Sequence, residues 1–217
     1  MDINAIFQSW MGALTNPNEE YYQEQLKAVN LTQGAVGIMI AAVIAAILGG
    51  IGTLFGGAAM NEMMLPFLQE AGMSPAEIDM ILASAQPSFI GVFFGTLIGS
   101  VIGFFIGAGI YWIIAKLFGG DGSYEDQTYL MSTFTAPLMI INGALGLIPL
   151  VGPFVAIFVS IYQLVLTYFA IKTSHAMTSG RAVMVVLTPI LIGFLCACCG
   201  ALFFASTIAA LVGSGEF

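Results

Sequence analysis

Charged side chains are scarce in this chain of 217 residues. Asp, Glu, Lys and Arg make up 7% of the sequence, whereas 59% of the residues are hydrophobic. A soluble domain carries roughly 25% charged residues, and its core could not bury so much apolar surface. The composition therefore predicts a membrane protein, with one bundle of about four to six crossing helices at ~20 apolar residues each.

Basic residues are the scarcest charged type. Four Lys and Arg against twelve Asp and Glu give a formal net charge of −8. Nucleic acid and anionic lipid headgroups are both bound through basic patches, so this balance argues against either as a recruiting partner. We expect contacts with membrane lipids, with a second copy of the chain, or with an unidentified membrane or cytoplasmic protein, and none with nucleic acid.

Ionisable residues are absent from the middle of every long apolar run. Such groups mark proton relays and ion pathways, so their absence argues against a proton-coupled transporter. Cys196, Cys198 and Cys199 share one apolar run and supply neither a disulfide framework nor enough metal ligands. The single histidine, His175, stands in the polar stretch KTSHAMTSGRA, and we expect it at the surface. No cofactor, metal site or enzymatic activity is predicted.

Five apolar runs are long enough, or nearly so, to cross a bilayer. They occupy residues 34–56, 89–118, 130–149, 153–172 and 182–212. The sequence thus predicts an all-α bundle of five transmembrane helices over 31–217, preceded by cytoplasmic amphipathic helices over 1–30. A further short amphipathic helix is expected in the first external loop, where Ser74, Pro75 and Glu77 form a capping box.

The N-terminal segment is apolar at helical spacing. The residues on this face are Ile3, Ile6, Phe7, Trp10, Met11 and Leu14. Asn16 and Pro17 then predict the N-cap and first residue of a second helix. We expect both helices to lie at the membrane surface.

All four basic residues fall on one side of a five-span chain. Lys27 precedes the first span, Lys116 ends the second, and Lys172 and Arg181 flank the loop between the fourth and fifth. The positive-inside rule makes that side cytoplasmic. The N-terminus is then inside and the C-terminus outside, in the plasma membrane if the chain is prokaryotic.

Glycine recurs at every fourth position of the stretch GVFFGTLIGSVIGFFIG. The positions are Gly91, Gly95, Gly99, Gly103 and Gly107. Small residues in lipid mark places where two helices approach closely, so this pattern predicts a helix-packing groove, within the chain or in a dimer. Residues 49–57 and 142–146 are candidate partners, and a groove for lipid or substrate is the alternative.

Three polar residues lie deep in the apolar runs, namely Asn142, Gln163 and Thr167. We interpret Asn142 and Gln163 first as hydrogen-bonding groups between helices. The alternative is a small polar site near the hairpin between the third and fourth spans, as in a channel or transporter.

Short Gly- and Pro-based motifs follow one another from residue 111 onwards. They are the run YWIIAKLFGGDGS with Gly119, Gly120 and Ser123, then Pro137, the hairpin at Pro149 and the loop from His175 to Arg181. With NPNEEYY before the first span, these motifs make residues 15–212 resemble the compact prokaryotic-type members of the Yip1 domain family. The resemblance implies five transmembrane helices, a cytoplasmic N-terminus and no enzymatic activity.

Eukaryotic members of that family act in vesicle traffic and bind small GTPases of the Rab class. The present sequence lacks their Asp-Leu-x-Gly-Pro motif, so GTPase binding does not carry over from the resemblance. The expectation is a non-enzymatic scaffold or adaptor in membrane organisation or trafficking, which acts through helix–helix and lipid contacts. A small channel or transporter with a polar site near Asn142 and Gln163 is the alternative.

Overall fold

The computed structural model describes residues 3–85, 87–148 and 151–214, and the regular structure in these ranges is all helical. The helices are α1 (Ile3–Thr15), α2 (Glu19–Leu26), α3 (Leu31–Glu70), α4 (Pro75–Ala85), α5 (Phe89–Leu117), α6 (Tyr124–Leu145), α7 (Val151–Ser174) and α8 (Ser179–Ser214). The predicted all-α class is confirmed.

Within the described ranges, four helical stretches are long and apolar enough to cross a membrane. They are Leu31–Leu54 of α3, Phe89–Leu117, Val151–Ser174 and Ser179–Leu202 of α8. These stretches overlap four of the five predicted runs. The fifth predicted run, at 130–149, overlaps α6, which is not among the four, so a count of five spans stays a prediction.

Helix α6 occupies the centre of the bundle. It packs against α1, α2, α3, α5 and α7, and every residue from Gln127 to Phe134 is buried. A helix surrounded by other helices needs no lipid-compatible surface, which explains why α6 carries polar residues such as Thr128 and Ser132. The most enclosed helix of the bundle is thus less apolar than the candidate spans α3, α5 and α7 around it.

Small residues bring α3 and α6 into close contact. A Cβ atom at Gly143 would lie 3.2 Å from Cα of Ala45, and one at Gly52 would lie 3.2 Å from the carbonyl oxygen of Gly146. The two segments expected to pack on the glycine groove of α5 therefore pack on each other. Van der Waals contact at such small residues is what holds helices together in lipid.

Two local boundaries differ from the prediction, and one motif is confirmed. The N-cap of α2 is Asn18, whose side chain accepts the N–H of Tyr21 at 2.8 Å; Asn16 still belongs to the end of α1, since its N–H bonds to the carbonyl of Gly12. Helix α3 continues well past residue 56 to Glu70, and Gly72 follows two residues later with φ +76°. The capping box before α4 is present, because the N–H of Ser74 donates to Glu77 at 2.8 Å.

The contact between α3 and α6 predicts that Gly143→Leu lowers stability, because the new side chain must push two backbones apart. Overpacking of this kind typically costs about 1–3 kcal/mol. Gly193→Leu is the matched control, since a Cβ at Gly193 of α8 would meet nothing within 4 Å. Thermal unfolding in detergent measures both variants, and equal melting temperatures would contradict the close contact.

Candidate functional site at the junction of two loops

The loop after α5 and the loop after α7 meet around a buried histidine. His175 is 1% exposed, so the prediction that it lies at the surface is wrong. The N–H of Gly122 donates to its Nδ1 at 3.1 Å, which places the ring proton on Nε2. That Nε2–H then donates to Oε1 of Gln127 at 2.8 Å. The Gln127 amide in turn donates to the carbonyl of Ala108 on α5 at 2.7 Å.

We refer to His175, Gly122, Gln127 and Ala108 as the His175 cluster. Its hydrogen bonds join α5, α6 and both loops at one end of the bundle. Glycine is required where the first loop closes over the ring: a Cβ at Gly120 would lie 2.7 Å from Nδ1, and one at Gly122 would overlap the carbonyl oxygen of Ser174. The backbone of the loop can thus lie directly against the histidine because Gly120 and Gly122 have no side chains.

The ring of His175 is held neutral. Burial, with a smaller contribution from the nearby Lys116 ammonium, lowers the pKa of His175 to about 4, although Asp121 and Asp126 act in the opposite direction. The lone pair on Nδ1 accepts the N–H of Gly122 and Nε2 carries the ring proton, so no lone pair of the ring is free for a metal ion or a substrate proton. Among the described residues, moreover, no group of three or more His, Cys, Asp or Glu is placed to hold a metal. The cluster therefore has a structural role, in which its hydrogen bonds hold α5, α6 and the two loops together.

The backbone on both sides of the cluster is sharply turned. His175 caps α7, and Ala176 follows it with φ +50°, while the N–H of Met177 bonds to the carbonyl of Lys172 at 3.0 Å. This is the Schellman pattern of a helix end, in which glycine is the usual residue at the left-handed position. The corresponding position after α5 is Gly119, with φ +80°. Ala176 adopts the same conformation with a Cβ that disfavours it.

The start of α6 strengthens this junction. Ser123 is the N-cap of α6, and its Oγ accepts the N–H of Asp126 at 3.0 Å. The hydroxyl of Tyr124 donates to the carbonyl of Phe105 at 3.0 Å. Indole Nε1 of Trp112 donates to the carbonyl of Gly122 at 3.3 Å. Helix α6 is therefore bonded to α5 at successive turns.

The predicted glycine groove faces away from the rest of the chain. A Cβ at Gly95, Gly99, Gly103 or Gly107 would meet no atom of the described chain within 4 Å, whereas one at Gly91 would meet only Ser88. Helix α3 approaches α5 on another side, where a Cβ at Gly49 would lie 3.4 Å from Val92. The structure thus shows no partner for these four glycines within the described chain, and packing in a dimer stays a prediction.

The predicted polar residues of α6 and α7 are not joined into one site. Asn142 is exposed near the end of α6, and Gln163 is half-buried on α7. Thr167 is buried, and its hydroxyl donates to the main-chain carbonyl of Gln163 at 2.8 Å. No hydrogen bond links Asn142 to Gln163 in the part of the chain that the structure describes. Pro137 is buried inside α6, and Pro149 lies outside the described residues.

Comparison with family models decides the affiliation of the chain. The model of the Yip1 domain matches residues 11–200. The chain belongs to the Yip1 domain family. Comparisons with curated proteins and with solved structures find no match. The Yip1 family consists in general of non-enzymatic membrane proteins, and the match makes this chain a multi-pass membrane protein, as the resemblance implied.

The Yip1 match covers the whole His175 cluster. Of its residues, His175 alone was named in the sequence analysis, together with the neighbouring Gly119, Gly120 and Ser123. Gln127 was missed because it lies within the first turns of an otherwise ordinary helix. A usable signal was present in the lone histidine and the glycine pair around Asp121, since both stand in loops on the same predicted side. Pairing them required knowledge of which helices are neighbours.

The cluster of this Yip1 protein predicts a stability that falls with acid. An unfolded histidine titrates near 6.5, so between about pH 6.5 and 4 the unfolded chain takes up a proton that the folded ring does not, and stability declines as the pH falls. We expect the melting temperature in detergent to drop between pH 7.5 and 5. His175→Gln keeps an N–H donor but cannot titrate; it should be less stable at pH 7.5 and change less with pH. Identical pH slopes would contradict this assignment.

The left-handed residue next to the cluster predicts a stabilising substitution. Ala176→Gly relieves the conformation at φ +50°, which costs an L-residue roughly 1–2 kcal/mol, although the more flexible unfolded chain offsets part of the gain. We expect a melting temperature above that of the parent protein. Gly119→Ala, the reverse change at the corresponding position after α5, should lower it. A decrease with Ala176→Gly would show that the turn is not strained.

Proposed function

We propose that this Yip1-family protein is a non-enzymatic membrane scaffold or adaptor, which acts through contacts of its helices with lipid and with other helices. The observation that carries the proposal is where its polar groups are used. Gln127 and His175 are fully engaged in bonds between elements, whereas the outward faces of the candidate spans are apolar, as at Ile98, Phe158 and Leu191. The surface available to partners is therefore the membrane-facing one.

The proposed orientation places the His175 cluster on the cytoplasmic side. Lys116 ends α5, Lys172 ends α7 and Arg181 begins α8, so three basic residues lie at the end of the bundle where the two loops meet. Lys27 precedes α3, and the two spans α3 and α5 return the chain to the same side at Lys116. Lys172 and Arg181 share that side if α6 crosses the membrane as a fifth span. The positive-inside rule then gives a cytoplasmic N-terminus and an external C-terminus, in the plasma membrane of a prokaryote.

A second copy of the chain, or another membrane protein, is the proposed partner of α5. Four glycines and the neighbouring Ile98, Ile102 and Ile106 form an outward face that nothing in the described chain covers. Close approach at such small residues is a common mode of helix association in lipid. No nucleic acid contact is proposed, since the chain has four basic residues in all.

A channel or transporter is the alternative function, and it would require Asn142, Gln163 and Thr167 to line a path. Thr167 instead bonds within its own helix. Reconstitution in sealed liposomes separates the two functions, with flux of a panel of ions and small solutes as the measurement. We expect no flux above that of empty liposomes, and no change with Gln163→Leu. Flux that Gln163→Leu abolishes in a folded protein would establish the alternative.

The same liposomes test the proposed helix contact by chemical cross-linking. We expect a cross-linked dimer that Gly99→Leu abolishes, because the added side chain keeps two α5 helices apart. Gly193→Leu, on the open face of α8, is the control and should leave the dimer intact. Equal cross-linking in both variants would exclude the glycine face as the contact.

A further inference from the structure

Helix α1 has two apolar faces and no charged residue. Its inner face, with Ile6, Trp10 and Ala13, is buried against the bundle. A second stripe at spacing four points away from the protein: Ile3 is 57% exposed, Phe7 47% and Met11 59%. A short helix in water would not expose three large apolar side chains on one line, so this stripe calls for an apolar covering.

Helix α1 lies beside two of the candidate spans and not beyond their ends. The Trp10 ring would lie 3.4 Å from a Cβ at Gly37, which is six residues inside α3. The hydroxyl of Tyr162 donates to the carbonyl of Leu14 at 2.5 Å. Tyr162 stands twelve residues before the end of α7 at Ser174, which is about 18 Å at 1.5 Å per residue. The C-terminal end of α1 therefore lies beside the body of α7 and not beyond its end.

The outward surface of α1 is divided lengthwise. At 3.6 residues per turn, the polar residues Asn4, Gln8 and Thr15 lie on the side of the helix opposite the buried face, next to the apolar stripe. The helix thus has three faces: one packs on the bundle, one is apolar and exposed, and one is polar. Such a division is typical of a helix that lies along the boundary between acyl chains and headgroups.

Helix α2 returns the chain to the end of α7. Glu19 pairs with Lys172, with 2.5 Å between Oε2 and Nζ. Tyr22 is buried and stacks on Phe169 with ring centroids 6.4 Å apart. The hairpin of α1 and α2 is thus held on α7 at two places, by Leu14 of α1 and by Glu19 and Tyr22 of α2. Helix α1 cannot move away from the bundle without breaking these contacts.

We propose that α1 is inserted into one leaflet beside the bundle, with the stripe of Ile3, Phe7 and Met11 against lipid acyl chains. The occupant is lipid, because the stripe lies at the level of candidate spans whose own exposed faces are apolar. Helix α1 has no Lys or Arg, so the insertion is hydrophobic and does not require anionic headgroups. The inference is independent of whether the protein is a scaffold or a channel.

Depth-dependent fluorescence quenching tests the insertion. Cys196, Cys198 and Cys199 are first replaced by Ala, and single cysteines then carry an environment-sensitive label in phosphatidylcholine vesicles. Met11→Cys tests the stripe, Ile98→Cys on α5 is the control within the membrane, and Glu24→Cys on α2 is the polar control, since all three positions are exposed. Phosphatidylcholine brominated on its acyl chains is the quencher.

We expect Met11→Cys to lose as much fluorescence to brominated lipid as Ile98→Cys, and Glu24→Cys to lose little. A Gln8→Cys label should be reached by aqueous iodide, and addition of an anionic lipid should change none of these values. Quenching at Met11→Cys no greater than at Glu24→Cys would overturn the insertion. A label at Met11→Cys that is shielded from both quenchers would also overturn it, since a second protein chain would then cover the stripe.

Discussion

The hydrogen bond between His175 and Gln127 is the contact on which the arrangement of the bundle depends. A polar side chain surrounded by apolar helices must find its partner within the protein, because hydrocarbon offers none. Gln127 has two such partners: its amide donates to the carbonyl of Ala108 on α5, and its oxygen accepts from the histidine after α7. The neutral ring suits this position, since it donates at one nitrogen and accepts at the other without a charge to desolvate.

The central place of α6 follows from the same constraint. Its start carries Gln127, Thr128 and further hydroxyl groups that would be costly against lipid, and the surrounding helices shield them. The glycines of α3 and α6 allow that shield to close, because backbones at Gly52 and Gly143 come nearer than larger side chains would permit. Helix α6 can thus carry polar residues because its neighbours pack closely enough to shield them from lipid.

The sequence was informative about features that depend on one segment alone, such as the extent of an apolar helix or its N-cap. Long apolar runs located α5 and α7 almost to the residue, and the capping box at Ser74 was predicted because its hydrogen bonds are local. The burial of His175 was not predictable in this way, since its partners lie 48 and 53 residues away.

The same limit applies to the glycine pattern of α5. Spacing identified a smooth helical face, but it could not say that the glycine-rich end of α3 meets α5 on another side, at Val92, and meets α6 at Gly146. The α6 run shows the converse difficulty, because a helix shielded by its neighbours loses the hydropathy that marks a span. Which helices are neighbours is a property of the whole chain and is not recorded in any one segment.

The order of synthesis gives the separation between Gln127 and His175 a further meaning. When a ribosome adds Gln127, the histidine is still 48 residues from being made. Until α7 has been threaded and its C-terminal turn has formed, the Gln127 carbonyl oxygen and the Gly122 N–H lack their native partner. The loop between α7 and α8 therefore supplies the partner for polar groups of α6 and of the loop before it, which were synthesised earlier.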